Sequence, residues 1–281
     1  MTVRIIPRLD IKGKNLVKGI HLEGLRVLGS PDAFARYYYE SGADELLYMD
    51  VVASLYGTNN LSALIERTAR EIFIPLTVGG GLRNVEDVNS VLRAGADKVC
   101  LNTAAIKNPQ IIRDLSEKFG SSTIVIAIEA IRQPDGRYFA FIDNGREYTG
   151  LEIIEWATRI EELGAGEILI TSVDMEGTGK GFNIDLISQV TNAVNIPVIA
   201  HGGCGQKLHA KEVFDKTGAD AIAVASMFHY DSLDNHRLLF EPELEGNIDF
   251  LKSGNSFKLI DEINISELKD YLVSQKVNCR N

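Results

Sequence analysis

Short apolar runs rich in Val, Ile and Leu alternate along the chain with longer segments in which apolar residues recur at helical spacing. The runs show little alternation with polar residues, which is typical of parallel strands that are buried on both faces. Eight such runs predict strands: Val3–Leu9, Glu45–Val51, Ile74–Val78, Lys98–Leu101, Thr123–Ile128, Glu167–Thr171, Val198–Ala200 and Ala221–Ala225.

Between most of these strands, the apolar spacing predicts an amphipathic helix. A glycine follows several of these segments, where a left-handed C-terminal cap favours it. The predicted helices are Pro31–Ser41, Leu61–Glu71, Val85–Ala94, Pro109–Phe119, Leu151–Leu163, Ile184–Ala193, Leu208–Thr217 and, near the C-terminus, Ile265–Ser274. Eight β–α units in series predict one (β/α)8 TIM barrel domain over residues 1–281, with a doubly wound parallel sheet as the alternative fold.

The chain is internally duplicated. Ile74–Gly81 reads IPLTVGGG and Ile196–Gly203 reads IPVIAHGG, and the tripeptide Gly-Ala-Asp at 95–97 recurs at 218–220. Both pairs lie about 120 residues apart. A constant offset implies two half-barrel repeats, each with its own ligand half-site, and it weighs against the doubly wound sheet.

The 281 residues carry a formal net charge of −10. This acidic balance argues against a protein that coats nucleic acid or lies on a membrane surface, although backbone amides at helix N-termini could still bind a phosphorylated ligand. Three cysteines without a CxxC pair indicate neither a disulfide framework nor a structural zinc. Without a recognisable secretory signal or a run of roughly 20 apolar residues, we expect a cytoplasmic protein.

One stretch interrupts the repeating pattern. The segment His229–Leu259 is polar, with clustered Asp, Asn and Gly. We predict an extended loop at about 230–260 before the last helix. Such a loop fits either a surface elaboration or a functional lid or partner-binding arm.

In barrels of this kind the active site lies at the carboxyl ends of the strands. Lys18 falls in the loop after the first strand, and crowded carboxylates near it would suit general acid–base catalysis. An ion pair with Lys18 or a loop cap is the alternative role for any one of these carboxylates. Carboxylates also bind metals, but no histidine lies at ligand spacing, so we expect no metal and no other cofactor. Five acidic residues fall at strand ends: Asp10, Asp50, Glu129, Asp174 and Glu176.

Two glycine clusters at strand ends predict a ligand with two phosphates. Glycine lets backbone N–H groups approach an anion without a Cβ in the way, although it is also common where a barrel corner packs tightly. The first cluster, ending in Gly81, is followed one strand later by Asn102 and Thr103. The second cluster, Gly202–Gly203, is followed one strand later by Ala225 and Ser226.

The opposite rim of the predicted barrel is also charged. Four charged residues begin strands there: Arg4, Glu45, Lys98 and Glu167. They predict a ring of ion pairs at the barrel bottom, where such residues usually stabilise the fold.

Longer stretches carry a family resemblance. The chain resembles the cyclase subunits of imidazole glycerol phosphate synthase over residues 4–230 and again in the last helix. The most specific stretches are RIIPRLDIKG, VKGI, GADELLYMD, FIPLTVGGGLR, GADKVCLNTAAIKNP, TGLEIIEWA, LGAGEILITSVDMEGT and IPVIAHGG.

The resemblance implies a TIM barrel that pairs with a class I glutaminase subunit as a heterodimer. Ammonia from the glutaminase passes through the barrel to an open-chain, twice-phosphorylated ribulosyl nucleotide, giving imidazole glycerol phosphate and aminoimidazole carboxamide ribotide. The catalytic aspartate falls on Asp10 and a catalytic lysine on Lys18. The phosphate sites fall on Gly81, Asn102 and Thr103, and on Gly177, Gly203, Ala225 and Ser226. The gate for ammonia falls on Arg4, Glu45, Lys98 and Glu167, with Asp97 at the glutaminase interface.

Four positions depart from the family pattern. Glu176 and Glu129 stand where the family has catalytic aspartates, Arg8 stands at a cysteine and His201 at a serine. A displacement of ~1 Å can cost ~100-fold in a positioned reaction. An alternative is therefore a paralogous barrel that uses ammonia to amidate a sugar or nucleotide-sugar for surface polysaccharides. A scaffold that only activates the glutaminase and an aminoaldose–aminoketose isomerase are further alternatives.

Overall fold

The computed structural model describes residues 2–53, 61–234 and 260–280. Within these ranges the strands are β1 (Arg4–Lys12), β2 (Asn15–Ile20), β3 (Glu23–Gly29), β4 (Leu46–Asp50), β5 (Leu76–Gly79), β6 (Lys98–Leu101), β7 (Ile124–Arg132), β8 (Tyr138–Ile142), β9 (Glu147–Glu152), β10 (Glu167–Ser172), β11 (Val198–His201) and β12 (Ala221–Val224). Eight of them pair in parallel in the order β1, β4, β5, β6, β7, β10, β11, β12, and β12 pairs back with β1. The closed sheet confirms the predicted (β/α)8 TIM barrel and excludes the doubly wound sheet.

Helices cover the outside of the barrel. Within the described residues they are α1 (Pro31–Glu40), α2 (Ser62–Glu71), α3 (Val85–Ala94), α4 (Thr103–Lys107), α5 (Gln110–Phe119), α6 (Ile153–Glu162), α7 (Ile184–Ala193), α8 (Lys207–Lys216), α9 (Ser226–Asp234) and α10 (Ile265–Ser274). Three of the predicted helices have the predicted bounds, and the other five differ by one or two residues at one or both ends. Asparagine side chains cap α3, α7 and α10, which fixes where these helices begin.

Each barrel strand has two buried faces with different neighbours. On β1, Ile5 and Leu9 face outward and join the large core under the helices, whereas Ile6 faces inward. The inward cluster also contains Leu47, Val125, Leu169 and residues of β6, β11 and β12. The strands therefore read as continuous apolar runs because both of their faces are buried, as the pattern predicted.

Two antiparallel hairpins extend the barrel strands beyond what the apolar pattern predicts. β2 pairs with the end of β1 and then with β3, and β8 pairs with the end of β7 and then with β9. The predicted loop after β1 is therefore a hairpin, with its first turn at Gly13, which has a φ of 62°. β2, β3 and β9 mix polar and glycine residues and so lack the apolar signal of a barrel strand. β8 reads YFAFI and is a short apolar run outside the eight predicted strands.

The repeated Gly-Ala-Asp tripeptide has a structural role at the bottom of the barrel. The carboxylate of Asp44 accepts a hydrogen bond from the Ile5 N–H at 2.7 Å, that of Asp97 from the Leu76 N–H at 2.8 Å, and that of Asp220 from the Val198 N–H at 2.9 Å. Each of these aspartates thus ties its own strand to the strand before it in the barrel. Asp97 does this although the residue is exposed.

The polar stretch after β12 is described only in part. His229 to Asp234 belong to α9, so the first residues of the predicted loop are helical. Residues 235–259 lie outside the described residues. None of the helices in the described ranges is long and apolar enough to cross a membrane.

The clamp made by Asp220 yields the first prediction. We expect Asp220→Ala to lower the free energy of unfolding by about 1–3 kcal/mol, because it leaves the Val198 N–H without its acceptor. Asp220→Asn, which keeps a side-chain oxygen, should lose less. Urea unfolding of the three proteins measures both changes. Equal stability of Asp220→Ala and the unaltered protein would contradict a clamping role.

Candidate active site

A cavity of about 350 Å³ opens at the carboxyl ends of the barrel strands. It lies over one side of the barrel, above β1 and β4 to β7. Among the residues that the sequence or the resemblance singled out, those that line it are Arg8, Asp50, Gly81, Asn102, Thr103 and Glu129. The turn between β8 and β9 forms part of its wall through Asp143 and Asn144. The structure therefore brings together one predicted phosphate site, two carboxylates and an arginine.

Asp10 is buried beside this cavity and is paired with an arginine of its own strand. The Arg8 Nε donates to Asp10 Oδ1 at 2.8 Å, and both side chains are about 95% buried. Because side chains alternate along β1, Arg8 and Asp10 both point into the barrel. The pair therefore links the predicted catalytic carboxylate to Arg8, which lines the cavity.

Lys18 and Glu176 form a second buried ion pair, from the Lys18 Nζ to the Glu176 Oε1. The other carboxylate oxygen of Glu176 accepts from the Leu22 N–H at 3.0 Å, and its backbone oxygen accepts from the His21 N–H at 3.0 Å. These contacts fasten the β2–β3 hairpin onto the loop that follows β10. The two predicted catalytic residues therefore contact each other, and neither lines the cavity.

Glu129 lies in the cavity wall at the end of β7. Its Oε2 accepts a hydrogen bond from the Gly145 N–H at 2.8 Å. Burial raises the pKa of Glu129 to about 7, against the opposing effects of that hydrogen bond and of the Arg8 charge. At neutral pH, Glu129 therefore exists in both the protonated and the ionised form, which suits a general acid or base.

The first predicted phosphate site lies at the far side of the same cavity. Gly81 has a φ of 69°, and its neighbour Gly80 packs so closely that a Cβ would lie 2.1 Å from the Asp50 carbonyl oxygen. Asp50 itself accepts hydrogen bonds from the N–H groups of Val52 and Ala53. In this turn, close packing leaves no space for a side chain at Gly80, and Gly81 has a backbone conformation that favours glycine.

Asn102 and Thr103 stand next to this turn. The Asn102 Nδ2 donates to the Phe141 carbonyl oxygen at 3.2 Å, while its buried Oδ1 has no partner among the described residues. Thr103 begins α4 and lies 3.5 Å from a carboxylate oxygen of Asp143. Asn102 thus has an acceptor available for a ligand that donates a hydrogen bond.

The second predicted phosphate site lies apart from the cavity. Gly202, Gly203, Ala225 and Ser226 are buried, and Gly177 is half-buried beside the β2–β3 hairpin. Asp174 is exposed, and its carboxylate accepts from the Arg132 N–H at 2.9 Å. Of the five predicted carboxylates, Asp50 and Glu129 line the cavity, Asp10 and Glu176 are buried in ion pairs, and Asp174 faces away.

The four charges at the opposite end of the barrel form a closed ring. Arg4 contacts Glu45 at 3.0 Å and also pairs with Glu167, and Lys98 contacts Glu45 at 3.1 Å and Glu167 at 3.0 Å. Glu45 additionally accepts from the Thr77 hydroxyl at 2.6 Å. The two cations are about 80% buried and the two carboxylates more so. The ring therefore closes the bottom of the barrel directly below the inward apolar residues.

In the sequence, Arg8 and His201 stand out only as departures from the family pattern. In the structure they meet, with 3.2 Å between the Arg8 Nη1 and the His201 Nδ1. The period of two along β1, which places Arg4, Ile6, Arg8 and Asp10 on one face, could have identified Arg8 as an inward residue. Within the described residues, no cluster of three or more potential ligands could hold a metal.

The raised pKa of Glu129 gives the second prediction. The folded protein holds this proton up to about pH 7, whereas an unfolded glutamate releases it near 4.5. Stability associated with Glu129 should therefore fall as the pH rises from about 5 to 8, by up to ~3 kcal/mol.

Thermal unfolding of Glu129→Gln at several pH values tests this. Its stability relative to the unaltered protein should increase over the same pH range, because glutamine cannot ionise. The exposed Glu155→Gln serves as the matched control and should give a constant difference. A constant difference for Glu129→Gln as well would contradict the raised pKa.

The chain is similar to known proteins over most of its length. The model of the histidine biosynthesis protein family matches residues 4–234. The HisF subunit of imidazole glycerol phosphate synthase from Legionella pneumophila is 58% identical over 204 residues, which are 73% of this chain and 96% of that protein. The HisF subunit from Methanopyrus kandleri is 47% identical over 81% of this chain and 90% of its own length. That from Lactococcus lactis is 48% identical over 82% and 89%.

These matches cover the barrel strands that form the cavity and the charged ring. They confirm the resemblance seen in the sequence and do not favour the alternative of a sugar-amidating paralogue. The chain therefore belongs to the histidine biosynthesis protein family and is similar, over most of its length, to the HisF subunits of imidazole glycerol phosphate synthase.

Proposed function

We propose that the protein is the cyclase subunit of an imidazole glycerol phosphate synthase in histidine biosynthesis. It combines ammonia with an open-chain, twice-phosphorylated ribulosyl nucleotide and releases imidazole glycerol phosphate and aminoimidazole carboxamide ribotide. The observation that carries the proposal is the alignment of the charged ring, the apolar barrel interior and the carboxylates of the cavity along one barrel axis. The similarity to HisF subunits supports the same assignment.

A class I glutaminase subunit is the proposed partner, bound at the bottom of the barrel as a heterodimer. The ring of Arg4, Glu45, Lys98 and Glu167 would then be the entrance for ammonia, with Asp97 at the rim of the interface. Beyond the ring, the inward residues are apolar or small, among them Ile6, Ala127 and Ala223. Such an interior suits neutral ammonia and excludes ammonium, whose charge would be costly to bury.

The proposed chemistry divides between two carboxylates, one paired with Arg8 and one in the cavity wall. Ammonia adds to the carbonyl group of the ribulosyl chain, and the later cleavage and ring closure require proton transfers. Asp10, held by Arg8, is the proposed base, and Glu129, half protonated at neutral pH, exchanges protons with the substrate from the cavity wall. Lys18 and Glu176 hold the hairpin that borders the site.

The two substrate phosphates would occupy the two glycine sites. One phosphate fits the turn of Gly81 with Asn102 and Thr103, which borders the cavity. The other would bind at Gly177, Gly202, Gly203, Ala225 and Ser226, near the N-terminus of α9. We propose a cytoplasmic location, which agrees with three cysteines that form no disulfide in the structure.

The role of Asp10 gives the third prediction. With purified protein, ammonium chloride and the ribulosyl substrate, Asp10→Asn should lower kcat by about 100-fold or more, because the amide cannot accept a proton. The exposed Asp114→Asn on α5 is the control and should keep normal turnover. Full turnover by Asp10→Asn would exclude Asp10 as the base, and no turnover by the unaltered protein would refute the proposed reaction.

The charged ring gives the fourth prediction. In the complex with the glutaminase, Lys98→Met should lower glutamine-dependent turnover several-fold and leave ammonium-dependent turnover nearly unchanged, because the ring lies far from the cavity. Lys118→Met, on the exposed face of α5, is the control. Equal loss with glutamine and with ammonium would show that the ring only stabilises the barrel.

A further inference from the structure

Arg8 occupies the upper end of the barrel axis. Along β1, Arg4 belongs to the charged ring, Ile6 to the inward apolar cluster, and Arg8 lies one level higher, where it lines the cavity. Only 4% of its surface is exposed. Burying a guanidinium costs free energy unless the charge is paired and hydrogen-bonded. The partners of Arg8 therefore indicate its role.

The guanidinium of Arg8 connects two side chains. Its Nε donates to Asp10 Oδ1 at 2.8 Å, and its Nη1 lies 3.2 Å from the His201 Nδ1. A guanidinium can only donate, so the His201 Nδ1 accepts and the ring proton lies on Nε2. The Thr171 hydroxyl is 3.1 Å from the same Nδ1 and holds the imidazole from the neighbouring strand.

His201 is suited to this contact because it is neutral. Burial, together with the charges of Arg8 and Lys18, lowers the pKa of His201 well below its ordinary value. A neutral imidazole can accept from Arg8 without repelling it, and the strand pairing of Thr171 with His201 fixes its position. Asp10 is thus linked through Arg8 to a support on the far wall of the barrel.

Arg8 is directed to one carboxylate out of three. Asp10, Glu129 and Glu176 all lie close enough to affect the charge of Arg8. Glu176 has its own partner in Lys18, and Glu129 forms no salt bridge within the described ranges. The hydrogen bond from Arg8 therefore distinguishes Asp10 from Glu129, the other carboxylate that is proposed to act on the substrate.

From this geometry we infer that Arg8 is a positioning residue for the cyclisation, which holds the Asp10 carboxylate in the orientation that reaches the substrate. The inference rests on the proposed function. A purely stabilising pair would be a weaker explanation, because well-packed apolar residues often replace buried ion pairs without loss of stability. A base displaced by ~1 Å, in contrast, can lose ~100-fold in rate.

The experiment compares kcat and KM of Arg8→Met, Arg8→Lys and the unaltered protein, with the ribulosyl substrate and saturating ammonium chloride. Arg8→Met should lower kcat by about 100-fold and change KM less than about threefold, because Asp10 loses its anchor but the phosphate sites persist. Arg8→Lys should have a kcat only slightly higher than that of Arg8→Met, since one ammonium group cannot contact both Asp10 and His201. Guanidinium ion added to Arg8→Met should restore turnover in a saturable way.

Arg137→Met is the matched control. Arg137 pairs with Asp135 through the same spacing of two residues and an Nε distance of 2.8 Å, but at the surface. It should keep normal kinetics and should not respond to guanidinium.

Three results would overturn the inference. A raised KM with unchanged kcat would make Arg8 a substrate-binding residue, and lowered thermal stability with unchanged kinetics would make it purely structural. If Arg8→Met fails to fold, Arg8→Lys tests the inference instead, because lysine keeps the buried positive charge. Full activity of Arg8→Lys would show that the guanidinium group is not needed to position Asp10. Lack of turnover by the unaltered protein would instead refute the proposed function.

Discussion

The structure depends on one constraint, which is the alternation of side chains along parallel strands that close on themselves. In a closed barrel every second residue must share a narrow interior with its neighbours. On β1 this places Arg4, Ile6, Arg8 and Asp10 at successive heights on the inner face. Charge at the bottom, apolar atoms in the middle and charge at the top thus follow from a single strand, and the other strands supply the partners at each level.

Burial then decides which charges stay ionised and which do not. At the bottom, two cations meet two carboxylates and the ring is balanced. At the top, Arg8 and Lys18 face three carboxylates, so Glu129 is left without a salt bridge among the described residues, and burial raises its pKa to about 7. Burial without a salt bridge is therefore what gives the cavity wall a carboxyl group that titrates near neutral pH.

The cover of the site comes from elements outside the eight-strand repeat. The β2–β3 hairpin carries Lys18 over the barrel to Glu176, and the β8–β9 hairpin supplies Asp143 and the N–H of Gly145 to the cavity and to Glu129. The two half-barrels have similar sequences, but only the first glycine site borders the cavity. The two halves of the barrel therefore differ at the cavity although their sequences are similar.

The pattern of apolar and polar residues alone was enough to predict the barrel, its eight parallel strands and, to within two residues at each end, eight helices, because burial on both faces leaves continuous apolar runs and polar caps mark helix starts. It also placed the charged ring and Asp10 at opposite ends, since strand direction fixes the ends. The folded chain was needed to show that Asp174 faces away, that Lys18 binds Glu176 across 158 positions, and that Arg8 joins Asp10 to His201. Such partners are brought together by barrel closure and hairpin packing, and local periodicity carries no information about contacts between distant strands.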